Sequence, residues 1–402
     1  MTPSEQFVHD LAQQACLRLW TYASPQGKDP GKELCDTLVA CAPHAIVFSV
    51  KDVELKRDAD DFHVAVERWK RKAVKESVGQ VYGAVRRLLQ THNVTTTDGS
   101  PGVHLGPVDS RRIHRIAVAI GGEDLVPLES RDYGRGFVHV FGAETLLVVL
   151  RELDTITDLV GYLEAREELL THGLHGAMIA SEHDLLAVYL MNAHSFKPLL
   201  ESKHDLMVLT DVWDDFVASR EYAARTEANE ESYIWDGLIT MIHEDHLTDN
   251  MEFGGDLHSV DETTRVMARE HRTERRALGQ AFIEFMDRRD IESRFVLGTS
   301  GTAYVFLKKP HAEDRKYRTR ELELRVWVTR AEMHKHGRSG PVIGIATEIR
   351  EPGSGSSLDT VLLQKPTWSE EDAEFVEAMR RDLGLFANPV LQHKRVDEYP
   401  SE

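Results

Sequence analysis

The chain is 402 residues long, with 41% hydrophobic and 29% charged residues and a formal charge of −19, the makeup of a globular protein that can bury a core in two or three domains. Its three cysteines, Cys16, Cys35 and Cys41, lack metal-ligand spacing and sit in or beside apolar stretches, which argues against a disulfide scaffold and predicts reduced, buried thiols in a cytoplasmic protein. No apolar run reaches the roughly 20 residues of a membrane span, and the start MTPSEQFVHDLAQQ lacks the basic and apolar regions of a signal peptide, so no membrane partner is expected.

In chain order, residues 4–20 place Phe7, Leu11, Cys16 and Leu19 at helical spacing, and SPQGKDPGK after them reads as a loop. The stretch DTLVACAPHAIVFSVKD, residues 36–52, predicts a two-strand hairpin turning at CAPH. A polar link, ELKRDADD, leads to a long helix from about His63 to Gln90, and RIAVAI and GFVHVF follow as short strands rich in β-branched and aromatic residues. From FGAETLLVVL the pattern turns helical, with Thr157 or Asp158 placed to cap a helix that buries Leu159, Tyr162 and Leu163, and DLLAVYLMN at 184–192 as a strand. Residues 205–290 read mostly as helices, broken at TDNMEFGGD; then RFVL, TAYVFL and PVIGIATE read as strands around a charged helix, RELELRVWVTRAEMHKH. EPGSGSS predicts a flexible loop and HKRVDEYPSE a loose tail. The expected layout is α/β: an N-terminal mixed-sheet domain at 1–145, a mainly helical middle at 146–290, a C-terminal α/β domain at 291–392 and a tail at 393–402.

The hairpin carries the chemistry. Alternate strand residues share a face, so Ser49 and Lys51 point the same way, with Asp36 beside them on the partner strand and Glu33 just upstream. Two carboxylates can hold Mg²⁺, which prefers oxygen ligands and keeps several waters, and a lysine nearby can position a nucleophile and steady charge on a phosphorus centre. In the following helix, Trp69, Ala73, Ser77, Gln80 and Ala84 recur at helical spacing, which sets Gln80 on a face directed at the sheet. A surface pair of Asp36 with Lys51, and a buried glutamine bonded to backbone, are the structural alternatives.

The order acid, apolar strand, turn, apolar strand ending in x-K, then a basic helix with glutamine resembles the PD-(D/E)XK nuclease superfamily, especially the nuclease-related domains of the NERD type and relatives of Holliday-junction resolvases. The resemblance covers roughly residues 5–145. It implies a restriction-endonuclease-like core, Asp36 as the motif aspartate, Lys51 as the motif lysine, Glu33 as the upstream acid, and Ser49 where an Asp or Glu is usual. Gln80 resembles the glutamine that some branches place beside the catalytic centre; those branches have a tyrosine four residues later, where this chain has Ala84, with Tyr82 two after. The implied activity is cleavage of DNA with Mg²⁺ or Mn²⁺ held by Asp36 and Glu33, in a bacterial defence or repair setting. The serine departs from the pattern, and the competing expectation is a nuclease-like module that binds nucleic acid or assembles without cutting.

The charge distribution admits such a partner. Residues 1–150 hold 18 Lys and Arg against 19 Asp and Glu, so the large negative charge lies in the remainder of the chain. Lys56, Arg57, Arg68, Lys70, Arg71, Lys72 and Lys75, with Arg86 and Arg87 further on, form a basic run that reads either as a solvated helix face or as a track for a phosphate backbone. The acidic remainder offers a surface to a protein partner or to a second copy of the chain. HEDH at His243 to His246 has its histidines three apart rather than four, SEHD at 181–184 lists triad residue types only by adjacency, and GTSGT at 298–302 reads as a hairpin turn, not a phosphate loop.

Overall fold

The computed structural model describes all residues except 29–30, 173–176, 180, 202–206, 249–255, 311–314, 350–356, 384–395 and 401–402. The chain folds as an α/β protein in two compact units, Met1–Ala223 and Ala224–Glu402, so the stretch read as a helical middle contributes to both. No helix among the described residues is long and apolar enough to cross a membrane.

The first unit opens with α1 (Pro3–Cys16), started by a capping box in which Thr2 and Glu5 satisfy each other's backbone N–H groups and by a proline at the first helical turn. Short β1 (Thr21–Ala23) precedes β2 (Thr37–Cys41) and β3 (His44–Asp52), the predicted hairpin, which turns at Ala42 and Pro43. A helical run follows as α2 (Phe62–Trp69), a π-helical stretch over Lys70–Lys75, and α3 (Glu76–Leu88). After the small ribbon β4 (Asn93–Thr95) and β5 (Pro101–His104), strands β6 (Arg112–Ile120), β7 (Arg131–Asp132) and β8 (Phe137–Phe141) complete a six-stranded sheet in the order β1-β2-β3-β6-β8-β7. The sheet is mixed: β2 runs antiparallel to β3, and β3, β6 and β8 run parallel to one another. The α2–α3 run is the crossover between β3 and β6, and such parallel connections need a helix to return the chain. Its apolar side, Trp69, Ala73, Val74 and Val78, packs with Ala117, Ala119, Val138 and Val140 of the sheet.

Next come α4 (Ala143–Glu152), α5 (Ile156–His172), β9 (Ala177–Ile179), α6 (Glu182–Met191), α7 (Lys197–Leu200), β10 (Met207–Leu209), α8 (Val212–Val217) and α9 (Arg220–Asn229). Two expectations change here. The stretch 184–192 is helix, not strand: Ser181 caps it by accepting from the Asp184 N–H, and the residues from Asp184 to Leu190 are all buried. A run buried on every side has no periodicity by which to tell the two apart. The cap of α5 is Thr155, whose hydroxyl accepts from the Asp158 N–H at 3.0 Å, rather than Thr157 or Asp158, while Leu159, Tyr162 and Leu163 are buried as expected. SEHD is this cap plus an ion pair: Glu182 grips Arg166 at 2.5 and 2.6 Å.

The second unit holds α10 (Tyr233–Leu247), α11 (Leu257–Ala268), α12 (Arg272–Asp287), β11 (Ser293–Leu297), β12 (Ala303–Lys309), α13 (Arg315–Lys335), β13 (Val342–Glu348), β14 (Leu358–Leu363) and α14 (Glu370–Leu383). Its sheet runs β11-β12-β13-β14, with β12 and β13 parallel and both edge pairs antiparallel. GTSGT is the turn between β11 and β12. Most of TDNMEFGGD and EPGSGSS, and residues 393–395 and 401–402 of the expected tail, lie outside the described residues. Within that tail the backbone carbonyls of Asp397 and Glu398 accept from Arg276, and Arg225 reaches the Glu398 carboxylate at 3.3 Å.

In this unit α13 presses on the sheet at Gly344, where a Cβ would lie 2.7 Å from Val326 and 2.8 Å from Leu322. Both neighbours are fully buried, so they have little room to yield. Gly344→Ala is expected to destabilise by about 1–3 kcal/mol, as overpacked cores do, read as a lower urea midpoint; an unchanged midpoint would show that α13 retreats from the strand without cost.

Candidate active site

Asp36 stands one residue before β2, where the ladder with β3 ends. Its Oδ2 accepts the Val50 N–H at 2.6 Å, so the side chain continues the pairing that the backbone of β2 has stopped supplying. Asp36 is 3% exposed, and its Oδ1 makes no hydrogen bond among the described residues. Burial raises its pKa above the ordinary 3.8; the Val50 N–H and Lys51 oppose that rise, and Glu5 and Glu33 add to it. Lys51 is half-buried and makes no hydrogen bond or close ion pair among the described residues.

Glu33 is exposed and is brought over Asp36 by a loop that closes on itself. The Gly27 N–H donates to Lys32 O at 2.6 Å, the Leu34 N–H donates to Pro25 O at 2.7 Å, and Gln26 bridges Glu33. A Cβ at Gly27 would meet the Lys32 and Glu33 carbonyl oxygens at 3.1 and 3.2 Å, so the close approach of the two arms favours glycine there.

Ser49 is fully buried. Its hydroxyl donates to Gln80 Oε1 at 2.7 Å, and its carbonyl accepts from Ser77 Oγ at 2.9 Å. The position that the resemblance expects to hold an acid is therefore a neutral hydroxyl–amide pair clamped by α3. Gln80 itself is exposed, contrary to the periodicity reading; the buried line along α3 is Ser77, Val81, Ala84, Val85 and Leu88, and the carboxamide leans from its margin to the sheet. Trp69, Ala73, Ser77 and Ala84 are buried as the spacing predicts, and Gln80 alone of that line is exposed while its carboxamide oxygen still reaches Ser49 in the sheet.

Glu33, Asp36 and Gln80 line a cleft of about 370 Å³ with Lys28, Lys32, Arg86 and Arg87, among others, whereas Ser49 and Lys51 are not part of its lining. Arg87 is half-buried, and its Nε is buried without a hydrogen-bond partner. Cations therefore ring the two acids, but they are only partly those the sequence suggested. Lys56 and Arg57 line a separate hollow of about 940 Å³ with Asp58, Glu123, Asp124 and Glu144, and Arg57 pairs with Asp124 at 2.6 Å. Lys70 pairs with Glu67 at 3.3 Å. Arg68, Arg71 and Lys75 are exposed on the helix and Lys72 is half-buried, and none of them lines the cleft. Lys28 and Lys32 were missed; their signal was proximity to Glu33 within one loop.

The cysteines are buried and form no disulfide among the described residues, and burial pushes the Cys35 thiol well up, with Asp36 and Glu33 adding to the rise, an environment for an inert thiol. His243 is buried within α10 and His246 lies on the same helix. Among the described residues, the set of three His, Cys, Asp or Glu ligand atoms close enough to share an ion is His44, His114 and Glu164, not HEDH. The chain matches no protein-family profile, no curated protein and no solved structure.

A carboxyl group whose pKa is raised by folding stabilises the protein at low pH, and that contribution is lost as pH rises through the folded value. Asp36→Asn keeps an oxygen for the Val50 N–H and cannot ionise. The variant is expected to melt higher than the parent at pH 7 and to converge with it below about pH 4, near the reference value of a free Asp. Thermal melts across that range check it; a parent that is the more stable at pH 7 contradicts the burial argument.

Proposed function

We propose that the N-terminal unit is a nuclease that hydrolyses phosphodiester bonds of DNA with Mg²⁺ or Mn²⁺. The observation that carries this reading is one cleft combining two carboxylates for a cation with four basic residues, Lys28, Lys32, Arg86 and Arg87, for an anion. The donor set fits a hard cation: Mg²⁺ is commonly held by one or two carboxylates with water and substrate phosphate completing its shell, and Asp36 Oδ1 and Glu33 are the oxygens on offer. A bound cation would make a coordinated water more acidic and offset charge on the phosphate.

The chain's own groups supply the rest. Lys51 sets a fixed positive charge beside Asp36 that orients an attacking hydroxide and steadies the crowded phosphorus centre. Arg87, with Arg86, Lys28 and Lys32 around the cleft, takes the flanking phosphates, Arg87 through a fork suited to two oxygens at once. Gln80 holds Ser49 and thereby the end of β3 that carries Lys51.

A second reading is favoured by one observation: Ser49 is buried and committed to Gln80, so it adds no ligand, and the acids number two. In that reading the unit binds nucleic acid and does not cut. Supercoiled, linear and single-stranded DNA, with RNA in parallel, incubated with Mg²⁺ or Mn²⁺ separate the two. Metal-dependent cleavage that is lost in Asp36→Ala and Lys51→Ala is the expected result. Intact DNA retained in a salt-sensitive way, with the slope falling by about one unit in Arg87→Ala, selects the binding module. No retention at low salt and no cleavage overturns both.

A further inference from the structure

A second cluster of ligand-bearing side chains lies on the other face of the same sheet. His44 opens β3, His114 sits on β6 in the register Ile46↔His114, and Glu164 comes from α5. Alternation puts His44 on the face of Ile46, opposite to Ser49 and Lys51, and five residues of strand separate His44 from Ser49, roughly 16 Å. His44 Nδ1 and His114 Nε2 are 3.2 Å apart, and one ligand atom from each of the three residues falls within 4.8 Å of the others.

We infer that His44, His114 and Glu164 form a Zn²⁺ site, distinct from the Asp36 cleft, with its fourth position left to water. Tetrahedral zinc binds imidazole nitrogen at about 2.0–2.1 Å, which sets two such nitrogens about 3.3 Å apart. The imidazole nitrogens already stand at that spacing, where a hydrogen bond between them takes the place a shared ion would fill. Glu164 is exposed, so its carboxylate reaches the shared point by rotation, giving up a single 3.3 Å contact with Arg112 of the kind that contributes little. Two nitrogens and one carboxylate select Zn²⁺ over Mg²⁺ or Ca²⁺.

Facing the pair are Arg112 and Arg115 from β6, the buried His139 from β8, and Glu164 from α5.

Chelator-treated protein titrated with Co²⁺, which reports tetrahedral nitrogen and oxygen ligation by its visible absorption, is expected to take up one equivalent that Zn²⁺ then displaces. His44→Ala should weaken binding at least about tenfold, since even outer-shell changes commonly cost that much, and Glu164→Gln should weaken it while changing the band shape. Asp36→Ala, at the other cleft, should leave the signal in place. Circular dichroism checks that His44→Ala folds, and Glu164→Gln, at an exposed position, serves if it does not. No Co²⁺ absorption at equimolar metal overturns the site, as does binding indifferent to both substitutions or lost in Asp36→Ala.

Discussion

A buried carboxylate accepting one backbone N–H fixes the end of a strand pair, and the N-terminal cleft is built around it. Where β2 stops, Val50 would lose its acceptor, and Asp36 supplies one at 2.6 Å. The Ser24 N–H donates to the Asp36 carbonyl at 3.0 Å, so the same residue anchors the loop that carries Lys28, Lys32 and Glu33. Removing an acceptor from a buried N–H generally costs about 1–3 kcal/mol. Keeping a charged acceptor there has its own cost, visible in the raised pKa. A group retained against its solvation preference, beside other acids and a lysine, is what a site needs and a core does not.

The opposite wall depends on how firmly α3 is seated. Trp69 donates its indole N–H to Val53 O at 2.7 Å, and its ring fills the space a Cβ on Gly122 would need, 2.7 Å away. Ser77 and Gln80 then bind the carbonyl and hydroxyl of Ser49. Between Trp69 and Ser77 the π-helical turn takes up one extra residue's worth of chain, so two anchors set by different parts of the sheet are both satisfied. Ser49 thus reads as a fastening point for the helix, a role that a carboxylate would fill badly in a fully buried position.

Much of this was legible in the sequence, for reasons tied to particular residues. The hairpin, β6, β8, β12 and β13 announced themselves through β-branched and aromatic runs bounded by Pro, Gly and polar turns, and α13 through its length and charge. What was not legible depends on tertiary placement. Leu185 to Leu190 lacks a polar face because α6 is covered on all sides. Gln80 lies at the margin of the buried line, exposed yet reaching Ser49 with its carboxamide, a split that a helical wheel does not show. Lys28 and Lys32 reach the cleft only once their loop folds back, and Arg57 leaves the basic run for Asp124. His44 and His114 are 70 residues apart and meet through strand register alone.

The second unit follows the same path as the first in coarse outline: a helix, an antiparallel pair, a crossover helix, and a strand parallel to the second of the pair, as α12-β11-β12-α13-β13. An acid again precedes the first strand, Glu292, and a lysine again stands at the end of the second, Lys309 as the last residue of β12 where Lys51 is the last but one of β3. There the likeness of charge ends. Lys309 bonds Glu292 and meets Glu321 at 2.7 Å, and Arg325 holds Glu321 at 2.5 Å. Burial works against the charged lysine, yet its carboxylate partners keep its pKa above the ordinary range. One chain path thus serves two opposite electrostatic ends: in the second unit the charges neutralise each other and tie the crossover helix to the sheet, and in the first, among the described residues, the lysine has no close partner and a buried and an exposed acid line a cleft with four cations.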